Sequence, residues 1–195
     1  GNPTWADAVA WQNYGMEFYT HGMTHEMYSP ANYQGMKNDL LTPIAIAKAN
    51  GLDVKGWAMP GLGDASAFDG LLVPDDWRGS AGRLIMSNYA LAEAYSGPTC
   101  VPITSEPNMY VYGRGHVTIE TQTLGALKKY VDLCTIEKKS CRFMVHCGLI
   151  GTAGHITLTD YTAFLDYVVA KRNAGPLDVL SPSSLPYATN TAYLL

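Results

Sequence analysis

The chain has 195 residues, 47% hydrophobic and 15% charged, which suits one globular α/β domain with a sizeable core and excludes a disordered chain. A net charge of −4 and a pI near 5.7, with Lys and Arg scattered along the chain, exclude the electrostatic footprint of a nucleic-acid or anionic-membrane binder and favour a neutral ligand. Apolar runs fall far short of the ~20 residues a bilayer needs, and the amino terminus lacks a charged-then-apolar signal pattern, so a soluble mature chain is expected.

Thr4 predicts an N-cap, the apolar positions Trp5, Ala8, Val9 and Trp11 a helix, and Gly15 its left-handed stop. A short strand is expected over 16–20. Ser29 followed by Pro30 marks a second helix start, with the helix running to Lys48 and Gly51 and kinked at Pro43. A strand over 52–58 then ends at Pro60-Gly61. Residues 61–82 are rich in Gly, Asp and Pro and read as a long loop, a candidate lid on which Trp77 packs.

Residues 83–95 read as a helix closed by Gly97, and 100–104 as a buried strand. Leu124, Leu127, Val131 and Leu133 give an amphipathic helix over 121–138, with Lys138 and Lys139 suited to its carboxyl end. A strand over 142–146 follows. Thr159 is expected to cap a helix through Lys171 and Arg172 that Gly175 closes, and 177–180 to form a last strand.

This alternation of helix and strand implies a parallel sheet with right-handed crossovers, open or closed into a barrel. Sites in such folds lie where strands end at their carboxyl edge, which here selects 20–25, 58–61, 104–107 and 146–148. The cysteines Cys100, Cys134, Cys141 and Cys147 show no CxxC or zinc-ribbon spacing. Cys134 and Cys141 can pair outside the cell, or all of the thiols are free and mostly buried. The excess of 13 Tyr and 4 Trp over 4 Phe suits both sugar stacking and protein interfaces.

Two of the five histidines lie in Thr20-His21-Gly22-Met23-Thr24-His25, directly after the first strand. A His-x-x-x-His pair brings both imidazoles to one ion if the turn is tight, and Gly22 makes a tight turn easy. No Glu follows the first His, so this is not the helical HExxH of zinc proteases. His146 ends the strand beginning at Phe143, where a histidine serves either as a general acid or as a core residue bonded to backbone. His116 reads as a groove residue or a loop histidine of no function, and His155 as surface.

The stretch from Gly15 to His25 resembles the second motif of the polysaccharide deacetylase (NodB-like) family, "G-H-E-i-x-x-H-x-x-x-H", which ends a strand and supplies metal ligands. Trp57-Ala58-Met59-Pro60-Gly61 looks like the third motif, Arg142 to His146 like the fifth, and Phe164 to Pro182 like the closing helix, strand and "v-x-T/S-P" turn. The resemblance spans nearly the whole chain. It implies an incomplete or distorted (β/α) barrel whose first strands are missing, so that residues 1–195 form a single deacetylase-like domain, the C-terminal fragment of a larger polypeptide.

The resemblance further implies that His21 and His25 hold a divalent ion, Zn²⁺ first among candidates, and that His146 protonates the departing amine or alcohol. The substrate implied is an acetylated saccharide, N- or O-linked, with Pro60, Gly61, Arg114 and Trp77 lining its site. The family's first motif, with paired aspartates, is expected on an upstream segment or a second chain that completes the barrel. The family's third-motif Arg is replaced by Ala58, and Arg114 or Arg83 could substitute for it. Asp75-Asp76-Trp77 is an imperfect match to a further family motif and reads as a solvated turn. The expected location is extracellular or surface-associated. The rival expectation is a catalytically degenerate carbohydrate-binding or structural module of a cell-surface or viral tail protein.

Overall fold

The computed structural model describes residues 3–24, 32–58, 80–93, 100–102, 116–137 and 139–184, and within them the fold is mixed α/β with short parallel sheets. The chain divides into two units. The first comprises Gly1–Gly97, Pro107–Arg114 and Ser181–Ser183, the second Pro98–Glu106, Gly115–Leu180 and Ser184–Leu195. Among the described residues no helix is long and apolar enough to cross a membrane.

In the first unit, helix α1 (Trp5–Asn13) starts at Thr4 as expected. The Thr4 hydroxyl accepts from the Asp7 N–H at 3.2 Å and the Asp7 carboxylate accepts from the Thr4 N–H at 2.8 Å, a reciprocal capping box. Gly15, at φ 97°, ends it. Strand β1 (Phe18–Thr20), helix α2 (Tyr33–Ala49), strand β2 (Val54–Ala58), helix α3 (Ser80–Asn88) and strand β3 (Leu91–Glu93) follow. The strands form one parallel sheet in the order β1-β2-β3, with Thr20 opposite Trp57 and Gly56 opposite Leu91. Met36, Leu40 and Trp57 are fully buried, and Ala8, Ala47 and Leu52 form a smaller cluster with Val9, Phe18 and Val54 against it.

Two expectations change here. Helix α2 is capped by Asn32, whose side chain accepts from the Gly35 N–H at 3.1 Å; Ser29 and Pro30 lie outside the described residues. The helix expected over 83–95 stops at Asn88, and its tail becomes β3. Leu91-Ala92-Glu93 has helical propensity, but β2 offers a free parallel edge and Ala92 is buried there, so tertiary pairing overrides the local preference.

The second unit contains β4 (Cys100–Pro102), β5 (Val117–Thr118), a 3₁₀ turn over Ile119–Thr121, helix α4 (Leu124–Ile136), β6 (Lys139–Cys141), β7 (Phe143–Met144), a 3₁₀ turn over Cys147–Leu149 and helix α5 (Leu158–Asn173). Strands β5 and β7 are parallel, whereas β4 and β6 are antiparallel, which the alternation argument did not anticipate. The core gathers Val117, Ile119, Leu127, Val131, Ile156 and Phe164, with Phe143 and Phe164 rings 5.1 Å apart in a tilted pair.

Four sequence expectations are corrected in this unit. Lys139 belongs to β6 and not to the end of a helix. Thr157, not Thr159, caps α5, its hydroxyl accepting from the Asp160 N–H at 3.0 Å. Residues 177–180 form no strand, and Val179 is 61% exposed: an apolar run becomes a strand only where a neighbour takes its backbone hydrogen bonds, and among the described residues none does. The Cys134 and Cys141 thiols are hydrogen-bonded and unlinked, and Cys147 is exposed rather than buried.

Candidate functional site

In the first unit, the β1/β2 register that sets Thr20 opposite Trp57 brings His21 level with Ala58 at the carboxyl ends of both strands. The His21 Nδ1 lies 3.0 Å from the Ala58 carbonyl oxygen. A carbonyl only accepts, so Nδ1 is the donor in this contact, which fixes the ring's orientation against the end of β2. Thr20 is buried, and its hydroxyl donates to Tyr89 at 2.6 Å; Tyr89 in turn donates to the Leu40 carbonyl.

Gly22 has φ 73°, the left-handed backbone that the tight turn needs. The Asp39 carboxylate then accepts the Met23 N–H at 2.8 Å and the Thr24 N–H at 3.1 Å. Among the described residues no group of three or more His, Cys, Asp or Glu is arranged to hold a metal ion. His25, Pro60, Gly61, Trp77 and Arg114 lie outside the described residues, as does the candidate lid up to residue 79. Arg83 is exposed on α3.

In the second unit, the β5/β7 register pairs Thr118 with Met144, and the 3₁₀ turn that follows β5 brings Glu120 into hydrogen-bonding contact with His146, two residues past β7. Glu120 is 1% exposed and the His146 side chain 60% exposed. The Glu120 carboxylate accepts from the His146 Nδ1–H and from the His146 backbone N–H, the latter at 3.2 Å. The ring is thus anchored and oriented through Nδ1 by a buried carboxylate. It is not the core histidine bonded to main chain that was the other expectation. Comparison with protein-family models, curated proteins and solved structures gave no match.

Burial is the largest influence on Glu120 and pushes its carboxyl up, but the hydrogen bonds from the His146 ring, the Glu120 backbone and the His146 backbone, with the charge of His146, together outweigh it and hold the group below the ordinary glutamate range. His116, half-buried just before β5, is lowered by burial first, then by the nearby Arg142 and His146 charges, with Glu120 opposing. His155 Nδ1 lies 2.9 Å from the Thr152 hydroxyl, away from any role proposed here.

Sequence reasoning missed Glu120 and Asp39. Both carried a signal. Glu120 follows the apolar Val117 and Ile119 in Val117-Thr118-Ile119-Glu120, but the strand that precedes it is two residues long and escaped a periodicity argument. Asp39 falls on the apolar stripe of α2 between Met36 and Leu40, where a carboxylate is out of place unless it is used.

Proposed function

We propose that the protein is a metal-dependent hydrolase that removes acetyl groups from an N- or O-acetylated polysaccharide, on a scaffold of the NodB-like (β/α) barrel type. The observation that carries this reading is common to both described histidines of the resemblance. Each stands just past the carboxyl end of a parallel strand, and each has Nδ1 tied by an acceptor, the Ala58 carbonyl for His21 and Glu120 for His146. Imidazoles held in this way are prepared to use Nε2, as a metal ligand or as an acid.

In this reading His21 and His25 hold the divalent ion, Zn²⁺ by donor type. When bound, such an ion supplies Lewis-acid polarisation of an acyl carbonyl and acidification of water. His146, its Nδ1–H given to Glu120, delivers a proton from Nε2 to the departing amine or alcohol. The acetylated saccharide is the expected partner, together with an upstream segment or second chain carrying the paired aspartates. We propose an extracellular or surface-associated location, secreted, periplasmic or on a virion, on the same grounds. The alternative, a degenerate carbohydrate-binding or structural module, draws on Ala58, which stands at the end of β2 where the family carries its Arg.

Elemental analysis of metal content combined with acetate release from acetylated oligosaccharides tests the proposal. His21→Ala should lose the metal while keeping its far-UV circular dichroism spectrum, and His146→Ala should retain the metal and slow acetate release about 10²- to 10⁴-fold. Unchanged metal in His21→Ala overturns the ligand assignment. Saccharide binding with no acetate release, in the presence of the upstream segment, establishes the binding-module alternative.

A further inference from the structure

We infer that Cys134 and Cys141 form a redox-active dithiol: their contacting thiols close to a disulfide that staples the last turn of α4 to β6. Cys134 lies in that last turn, and β6 finishes at Cys141, with only Glu137 and Lys138 between the helix and the strand. Helix and strand pack on each other, and Cys141 also packs against the buried cluster that contains Val131 of the same helix. This packing brings the two sulfurs, both half-buried, into hydrogen-bond contact, and the structure holds them in the reduced, unlinked form.

The arrangement suits thiol–disulfide exchange. The hydrogen bond from Cys141 is the largest influence on Cys134, and with a backbone hydrogen bond it outweighs burial and holds that thiol below the ordinary cysteine range. The oxidant is a low-molecular-weight disulfide. The Cys134 thiolate attacks one of its sulfurs and expels a small thiolate, which takes up the proton that Cys134 released, leaving a mixed disulfide. Cys141 then loses its proton and attacks the Cys134 sulfur, forming the internal bond and expelling the second small thiolate, which takes up that proton. The protein dithiol is thus oxidised by two electrons and the small disulfide is reduced to two thiols. Because the two cysteines already touch in the reduced fold, closure demands little backbone movement, and folding and disulfide formation reinforce each other. Cys100 stands opposite Cys141 across the β4/β6 ladder and is the competing partner.

The test equilibrates the reduced full chain with mixtures of glutathione and glutathione disulfide, under native conditions and in urea. Remaining thiols are then blocked with iodoacetamide and tryptic peptides mapped by mass spectrometry. Lys138 and Lys139 lie between the two cysteines, so cleavage leaves their peptides joined only by the disulfide. The native chain should yield the linked Cys134 and Cys141 peptides as its main oxidised product, with Cys147 alkylated. The equilibrium constant for forming that link should exceed its value in urea at least about 10-fold. Cys141→Ser should lose the linked product and carry glutathione on Cys134 instead; if that variant does not fold, the wild-type map decides. A link from Cys141 to Cys100, no internal disulfide in the folded chain, or an equilibrium constant no higher than in urea overturns the inference.

Discussion

Glu120 and Glu17 show how single carboxylates are turned to use. Burial pushes the Glu17 carboxyl up, but hydrogen bonds from Ser183, Ser181 and Tyr19 together outweigh it and hold it below the ordinary range. The Ser183 N–H donates at 3.0 Å and the Tyr19 hydroxyl at 3.2 Å, so Glu17 ties Ser183 to the start of β1. Both glutamates titrate lower in the folded chain than in the unfolded one. Their stabilisation is therefore complete above the ordinary glutamate value and is lost as pH falls through the lower folded values. Thermal melts across an acid series should show stability declining toward low pH, with Glu120→Gln and Glu17→Gln each flattening the decline. An unchanged slope in both variants would contradict the assignment.

At the level of elements, helix ends obey local chemistry and strands do not. The cap of α5 gives a sharp comparison, because the sequence reading expects Thr159 there and it is the Thr157 hydroxyl that accepts an N-terminal amide. Thr157→Ala should cost about 0.5–2 kcal/mol of stability, and exposed Thr159→Ala less than about 0.5 kcal/mol, by chemical denaturation. In the first unit's sheet, a Cβ on Gly56 would lie 2.8 Å from the Leu91 carbonyl oxygen and meet the Tyr19 ring as well. Gly56→Ala should destabilise the fold by about 1–3 kcal/mol, with amide exchange rising across β2 and β3. No feature of Val54-Lys55-Gly56-Trp57 announces this close approach, because it depends on the neighbour that arrives from residue 91.

At the scale of the molecule, each unit has an interior of its own. In the second, Leu127 is fully buried within a cluster that includes Val131, Ile156 and Phe164. Leu127→Ala should cost about 2–5 kcal/mol and raise exchange across α4 and α5. A loss below about 1 kcal/mol would mean that this cluster is not the core of its unit. Helix α5 is further tied to α4 by Asp132, which accepts from Tyr167 and Lys171, each at 2.6 Å. That contact is between surface side chains and contributes little beside the apolar cluster.

The sequence by itself determined the α/β class, the Thr4 cap, the Gly15 and Gly175 stops, the long α2 and the amphipathic α4, because each is set by interactions among residues a few positions apart. It also placed His21 and His146 at strand ends. Tertiary structure decided that residues 91–93 are strand and 177–180 are not, since a strand exists only where a partner takes its backbone hydrogen bonds. It decided too which carboxylates matter. Glu120 meets His146 across a distance of 26 residues, and Asp39 meets Met23 and Thr24 across 16 and 15, separations that no local pattern encodes.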